Sequence, residues 1–206
     1  MRKTVFLLIL ASCLAAGAYA QQKDALVLYQ QGQYEEAIEV CRAELEETPK
    51  RMDAYVVMGW SQLKQEKWDD AMVTAAKGYE ISPTDYRILE ILGEAHFYKG
   101  NNLEALHFFE QYAVIAPDGD RIDLAYYFMG EIFIRLGEFN HADIALTTAL
   151  YHSPNAVKWW ARLGYAREMA QDYVWAINAY QKALQLNATF TEAERGIVRV
   201  KEKMEN

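Results

Sequence analysis

The sequence predicts an all-α solenoid in which helix hairpins stack one after another along the chain. Its 206 residues carry three series that recur with nearly the same period. The series are Ala37, Ala71, Ala105, Ala142 and Ala176; all four prolines, Pro49, Pro83, Pro117 and Pro154; and Gly59, Gly93, Gly130 and Gly164. The alanine spacings are 34, 34, 37 and 34 residues. A period of this length is typical of a repeat made of two helices.

The first helix of each repeat is predicted from apolar residues at spacings of three and four. Residues 54–64 and 126–136 show this pattern, which places the apolar side chains on one face of a helix. Each stretch contains one of the recurring glycines, and a glycine inside a helix costs about 1 kcal/mol relative to alanine. Four glycines at matched places therefore predict close contact with the second helix of the hairpin.

The second helix of each repeat is predicted to begin at a pair of acids. Glu35-Glu36 and Asp69-Asp70 are examples, and acidic side chains favour the N-terminus of a helix because of its partial positive charge. The recurring alanine then lies on the inner face of this helix. The recurring proline marks its end, because the residue before a proline is disfavoured in helical conformation.

The repeat resembles the tetratricopeptide repeat, as Trp160-Ala-Arg-Leu163-Gly164 and Tyr126-Tyr-Phe-Met129-Gly130 illustrate. The resemblance implies a right-handed α-solenoid of helix hairpins. Five repeats would span residues 18–51, 52–85, 86–122, 123–156 and 157–190. Residues 191–206 alternate charged and apolar side chains, which predicts a capping helix for the end of the core. The three extra residues of the long spacing fall in the loop around residues 118–122.

The first twenty residues have the anatomy of a secretory signal peptide. Arg2 and Lys3 precede an apolar stretch at residues 4–17, and Ala18-Tyr-Ala20 supplies a cleavage site. The apolar stretch is shorter than the roughly twenty residues that a membrane span needs, and we expect no such span in the mature chain. The sequence thus predicts export to the periplasm or cell envelope.

A lipid anchor is the alternative for the N-terminus. Leu10-Ala-Ser-Cys13 resembles the site at which bacterial lipoproteins are cut and acylated on cysteine. Because Cys41 is the only other cysteine, a framework of several disulfides is excluded. We interpret Cys41 as a small buried apolar side chain.

Charge and motif content exclude several classes of function. The formal net charge is −8, which opposes nonspecific binding of nucleic acid. The sequence contains no glycine-rich phosphate loop, no serine elbow and no zinc-type cysteine pair. The four histidines do not have the spacing of three or four that would bring two metal ligands together. We therefore expect no catalytic site, no metal and no cofactor.

The candidate site is the concave surface that the first helices of the repeats would form. Residues just after each glycine, and four residues to either side, are expected to face this groove together with their neighbours. The predicted groove residues are Val56, Trp60, Lys64, Glu90, Glu94, Phe97, Tyr98, Tyr127, Phe128, Glu131, Arg135, Lys158, Arg162 and Tyr165. Aromatic side chains beside fixed charges suit a peptide or amphipathic helix. Packing between repeats is the competing explanation for any single aromatic residue.

These observations predict a non-enzymatic scaffold or adaptor of the cell envelope that binds a protein or peptide partner. Glu90, Glu94 and Glu131 favour a partner with basic as well as apolar side chains. Two alternatives stay open: a repeat lipoprotein that assists outer-membrane, secretion or pilus assembly, and a small-ligand carrier that serves a transporter.

Overall fold

The computed structural model of the chain describes residues 24–205. The predicted signal peptide at residues 1–20, including Cys13, lies outside the described residues, as does the start of the first predicted repeat. The fold is therefore described from Asp24 onwards.

Residues 24–205 form eleven α-helices and no strand. The helices are α1 (Ala25–Gln30), α2 (Tyr34–Glu47), α3 (Met52–Lys64), α4 (Trp68–Ile81), α5 (Tyr86–Lys99), α6 (Asn102–Ile115), α7 (Ile122–Leu136), α8 (Phe139–His152), α9 (Val157–Met169), α10 (Tyr173–Leu186) and α11 (Thr191–Glu205). Each odd-numbered helix up to α9 packs against the helix that follows it, and α11 packs against α9 and α10. The all-α solenoid of helix hairpins is thus confirmed.

The two helices of a hairpin occupy different layers of the solenoid. The first helices α1, α3, α5, α7 and α9 contact one another in succession, and α9 also contacts α11. The backbones of the second helices described in residues 24–205 lie farther apart, although the rings of Tyr79 in α4 and Phe108 in α6 meet edge-on with 5.9 Å between centroids. Helices that lie closer together line the inside of a curved array, so the first helices form the concave surface and the second helices the convex one.

The recurring alanines lie in the buried core, which runs along the whole array. Ala37, Ala71, Ala105, Ala142 and Ala176 are all fully buried. Larger side chains fill the space between hairpins, among them Ile38, Ile88, Phe109, Leu146 and Tyr180. The small alanine lets the two helices of each hairpin approach each other, while the larger residues join neighbouring hairpins into one continuous core.

Three of the four mid-helix glycines contact the second helix of their own hairpin. A Cβ atom at Gly93 would lie 2.7 Å from Phe109, one at Gly130 2.6 Å from Leu146, and one at Gly164 2.7 Å from Tyr180. Each of these neighbours follows its glycine by sixteen residues. No Cβ fits at such distances, so the position is restricted to glycine.

Gly59 contacts a different helix from the one predicted. The residue sixteen positions after it is Ala75, whose small side chain leaves the space within the hairpin open. Ile91 of α5 fills this space, and a Cβ at Gly59 would lie 2.9 Å from its Cδ1 atom. The glycine at this position therefore serves the contact between two hairpins.

Candidate partner-binding groove

Aromatic rings of the first helices form a nearly continuous row along the concave surface, which we call the groove. Tyr29 of α1 lies 5.8 Å from Trp60 of α3, and Tyr98 of α5 lies 6.0 Å from Phe128 of α7, between ring centroids. Further along, Tyr127 stacks on Trp159 at 4.8 Å. The groove thus presents an aromatic surface that spans five hairpins.

A small pocket lies in the N-terminal half of the groove, and we call it the central pocket. Its volume is about 90 Å³, which is well below the roughly 300–1,000 Å³ of a typical small-molecule site. The lining residues are Tyr29, Trp60, Leu63, Lys64, Trp68, Glu94, Tyr98 and Arg121. Tyr98 stacks on Trp68 with 4.3 Å between centroids. A cavity of this size and composition suits one side chain of a peptide.

Arg121 reaches the groove although the sequence did not predict it there. Its Nε lies 2.7 Å from Glu90 Oε1, and its Nη2 donates a hydrogen bond of 2.5 Å to Glu94 Oε1. The hydroxyl of Tyr112 accepts a hydrogen bond from the Arg121 backbone N–H. Arg121 belongs to the three-residue lengthening of the repeat, so the 37-residue spacing was the signal that could have indicated it.

Burial affects the ionisation of Glu90. Burial raises the pKa of Glu90, the neighbouring carboxylate of Glu94 raises it further, and Arg121 opposes both effects. Both side chains are almost completely buried. Charged carboxylates at this depth are tolerated only when they are paired, and Arg121 provides the pairing.

The C-terminal half of the groove contains a second acid and base pair. Arg162 of α9 binds both oxygens of Glu131 of α7 at 2.6 and 2.9 Å. The same guanidinium lies 5.2 Å from the ring of Tyr165. Burial raises the pKa of Tyr127 to about 12, and the carboxylate of Glu131 adds to the effect. All three groove glutamates are therefore bound by arginines of the same chain.

Three of the predicted groove residues are core residues. Val56 is 1% exposed, and Phe97 and Phe128 are each 6% exposed. Phe97 lies 4.7 Å from Phe128 between centroids, which seals α5 against α7. Their prediction as partner contacts was wrong, because large apolar side chains between stacked helices are removed from water by the next repeat.

The remaining groove cations are exposed. Arg135 lies 3.8 Å above the ring of Phe97 and donates a 3.0 Å hydrogen bond to the Phe97 carbonyl. Lys64 lies at the end of α3, and Lys158 lies in the first turn of α9. Tyr98 keeps 48% of its surface exposed. These side chains are available for contact with a partner.

Comparison with known families identifies the repeat. A family model described as anaphase-promoting complex, cyclosome, subunit 3 matches residues 9–77. Two models described as tetratricopeptide repeat match residues 56–120 and 124–155. The chain is a tetratricopeptide repeat protein. No curated protein sequence matches it.

Solved structures of other tetratricopeptide repeat proteins have the same fold. A MamA structure is 19% identical, with a TM-score of 0.72, and the match covers 82% of this chain and 98% of that one. MamA 41-end from Desulfovibrio magneticus RS-1 is 17% identical with a TM-score of 0.71, over 81% and 92% of the two chains. YrrB, described as having an unusual peptide-binding site, is 15% identical with a TM-score of 0.70, over 83% and 87%.

Among residues 24–205, no group of three histidines, cysteines or acids has the arrangement of a metal site. In the same part of the chain, no helix combines the length and apolar character required to cross a membrane.

Proposed function

We propose that this tetratricopeptide repeat protein is a non-enzymatic scaffold or adaptor that binds a peptide or protein segment in the groove. The observation that carries the proposal is the exposed face of Tyr98, which lies between Trp68 and Phe128 in the middle of the aromatic row. An exposed aromatic residue fixed by neighbouring rings offers a large contact area at little entropic cost. Such residues carry most of the energy at protein interfaces.

The shape of the groove supports a peptide as the ligand. The aromatic row follows the first helices across several hairpins, so an extended segment can contact several repeats at once. The size of the central pocket favours a side chain over a small molecule. The description of YrrB as a peptide-binding protein of the same fold is consistent with this use.

The charge of the groove no longer supports the preference for basic partners. Glu90 and Glu94 are paired with Arg121, and Glu131 is paired with Arg162. A partner's lysine or arginine would have to displace an arginine of the chain to reach these carboxylates. We therefore retain the peptide partner and abandon the argument for basic side chains.

Photo-crosslinking from three tyrosine positions in the living host tests the groove. Probes at Tyr98 and Tyr127 face the groove, while Tyr151 of α8, 81% exposed, provides the control on a second helix. We expect both groove probes to trap a neighbour that the Tyr151 probe does not trap. The same neighbours at all three positions would refute the proposal.

Export to the periplasm or cell envelope is the second part of the proposal, and the signal-peptide pattern of residues 1–20 supports it. The mass of the mature N-terminus tests it. A chain that begins at Gln21 agrees with cleavage after Ala20, and an acylated Cys13 agrees with the lipoprotein alternative. An intact Met1 in the host would refute export by either route.

A further inference from the structure

The side chains that line the central pocket include two cations and one carboxylate. Glu94 is its only carboxylate, and the Glu94 Oε1 atom already accepts a hydrogen bond from Arg121. Lys64 is exposed at the pocket mouth, and within residues 24–205 no carboxylate lies within 4 Å of its ammonium group. The unsatisfied charge of the pocket is therefore positive.

A second cation lies beside the pocket. The guanidinium of Arg135 interacts with the ring and carbonyl of Phe97 and with Asn102 Oδ1, all of them uncharged groups. Burial and the carboxylate of Glu94 raise the pKa of the Tyr98 hydroxyl, and the guanidiniums of Arg121 and Arg135 lie close enough to oppose this effect. Glu66, exposed in the turn after α3, is the opposing free carboxylate near Tyr98. The two cations, Lys64 and Arg135, thus outnumber the free carboxylate of Glu66.

Arg121 determines this balance. Without its guanidinium, the Glu94 carboxylate would be left to pair with Lys64, and the pocket would have no excess of positive charge. Burial raises the pKa of Glu90 and so favours its neutral form, and the single charge of Arg121 then balances the carboxylate of Glu94. Lys64 and Arg135 are left without carboxylate partners. A partner charge that binds here must be negative, since an exposed cation in an aromatic pocket gains most from a carboxylate.

We propose that the groove binds an acidic peptide segment, with an apolar side chain in the central pocket and an adjacent aspartate or glutamate on Lys64. The proposal rests on the proposed function of the groove and adds the chemistry of its partner. The occupant is a short segment, because the chain as a whole carries a net charge of −8 and would repel a long polyanion such as nucleic acid. Arg121 is the residue that sets the specificity.

Selection from a random peptide library on the full protein tests the proposal. We expect the enriched peptides to pair an apolar residue with a neighbouring acid and to lose binding on Tyr98→Ala. For the best binder, replacing its acid by the matching amide should weaken binding about fivefold at low salt. Lys64→Glu should weaken the acidic peptide about tenfold, while Lys77→Glu on the second helix α4 should leave it unchanged.

Exchange of the specificity-setting residue provides an independent readout. Arg121→Gln combined with Glu90→Gln removes one cation and one buried acid together, which avoids an unpaired charge at Glu90. This double variant should bind the acidic peptide less tightly and bind a basic analogue of it more tightly. Folding of the variant is checked by circular dichroism, and Lys64→Glu serves as the test if it fails to fold.

The outcomes separate the two proposals. Enriched peptides that need Tyr98 but are basic or uncharged would overturn the acidic partner and leave the groove as the binding site. An unchanged affinity for Lys64→Glu would do the same. If no enriched peptide depends on Tyr98, the proposed function of the groove itself is refuted, and the acidic partner with it.

Discussion

At the scale of single residues, the turn inside each hairpin depends on one left-handed backbone position. Gly32, Gly100 and Gly137 occupy it with φ between 76° and 79°. Glu66 and Gln171 adopt the same conformation with φ of 59° and 64°. Residues other than glycine pay about 1–2 kcal/mol in this region because the Cβ atom approaches the carbonyl oxygen. Two of the five turns are therefore strained.

Replacement of Gln171 by glycine should relieve this strain. We expect Gln171→Gly to raise the free energy of unfolding by about 1 kcal/mol, as measured by urea denaturation. Gln31→Gly is the matched control, since Gln31 is exposed and has a right-handed conformation with φ of −81°. That change should lower stability slightly by increasing the freedom of the unfolded chain. Equal changes in the free energy of unfolding for Gln171→Gly and Gln31→Gly would contradict the strain assigned to Gln171.

At the scale of helices, ion pairs connect each hairpin to the next. Asp53 of α3 binds Arg87 of α5. The acids near the starts of α2 and α4 bind a lysine in the turn before α4 and the last lysine of α5, respectively. The partners in these pairs are 30–34 residues apart. Exposed pairs of this kind contribute 0–1 kcal/mol each, so apolar contacts between helices decide the stability of the junctions.

The contact between Gly59 and Ile91 shows how one junction is packed, and a double-mutant cycle can measure it. Gly59→Ala places a methyl group against Ile91 Cδ1, and Ile91→Val removes that atom. We expect the cost of Gly59→Ala to fall by 0.5 kcal/mol or more in the Ile91→Val background, as urea denaturation would show. Ile132→Val, at another fully buried isoleucine in α7, is the control and should show additive effects. If the cost of Gly59→Ala falls in the Ile132→Val background, or stays the same in the Ile91→Val background, the contact between Gly59 and Ile91 does not limit this position.

At the scale of the whole molecule, α11 closes the exposed end of the core. Glu168 of α9 is 3% exposed and accepts hydrogen bonds from Tyr180, Arg199 and Lys203, each at 2.9 Å. Burial by itself would raise the pKa of Glu168, but these hydrogen bonds outweigh it and lower the pKa. The carboxylate of Glu168 thus connects α11 to the fifth hairpin, α9 and α10.

The attachment of α11 should depend on pH. Because the pKa of Glu168 is lowered in the folded protein, its contribution is present above the unfolded value of about 4.3 and is lost as the pH falls through the folded pKa. We expect Glu168→Gln to destabilise the protein by roughly 1.5–3 kcal/mol at pH 7, with a difference from wild type that shrinks below about pH 4. Urea denaturation at pH 7 and pH 3 measures this difference. The control Glu194→Gln, exposed in α11, should stay close to wild type, and a Glu168 effect independent of pH would contradict the prediction.

The repeat architecture was determined by the sequence itself. The alanine, proline and glycine series act within one helix or between adjacent helices, so their effects are local and can be read from spacing. The helices that end at Glu47, Ile81, Ile115 and His152 each stop two residues before a proline. The same spacing predicted Trp60, Tyr98 and Tyr127 of the aromatic row as groove residues, whereas Tyr29 and Trp159 were not among them.

Only the tertiary structure decided the chemistry of the groove. Spacing placed Glu90 and Glu94 on the concave side but could not show that Arg121, in the lengthened loop, would turn inward and neutralise them. It could not distinguish Phe97 and Phe128, which seal the repeats, from Tyr98, which remains exposed. A side chain's burial and charge partners depend on distances between elements far apart in the chain, whereas periodicity reports only the face of the helix on which the residue lies.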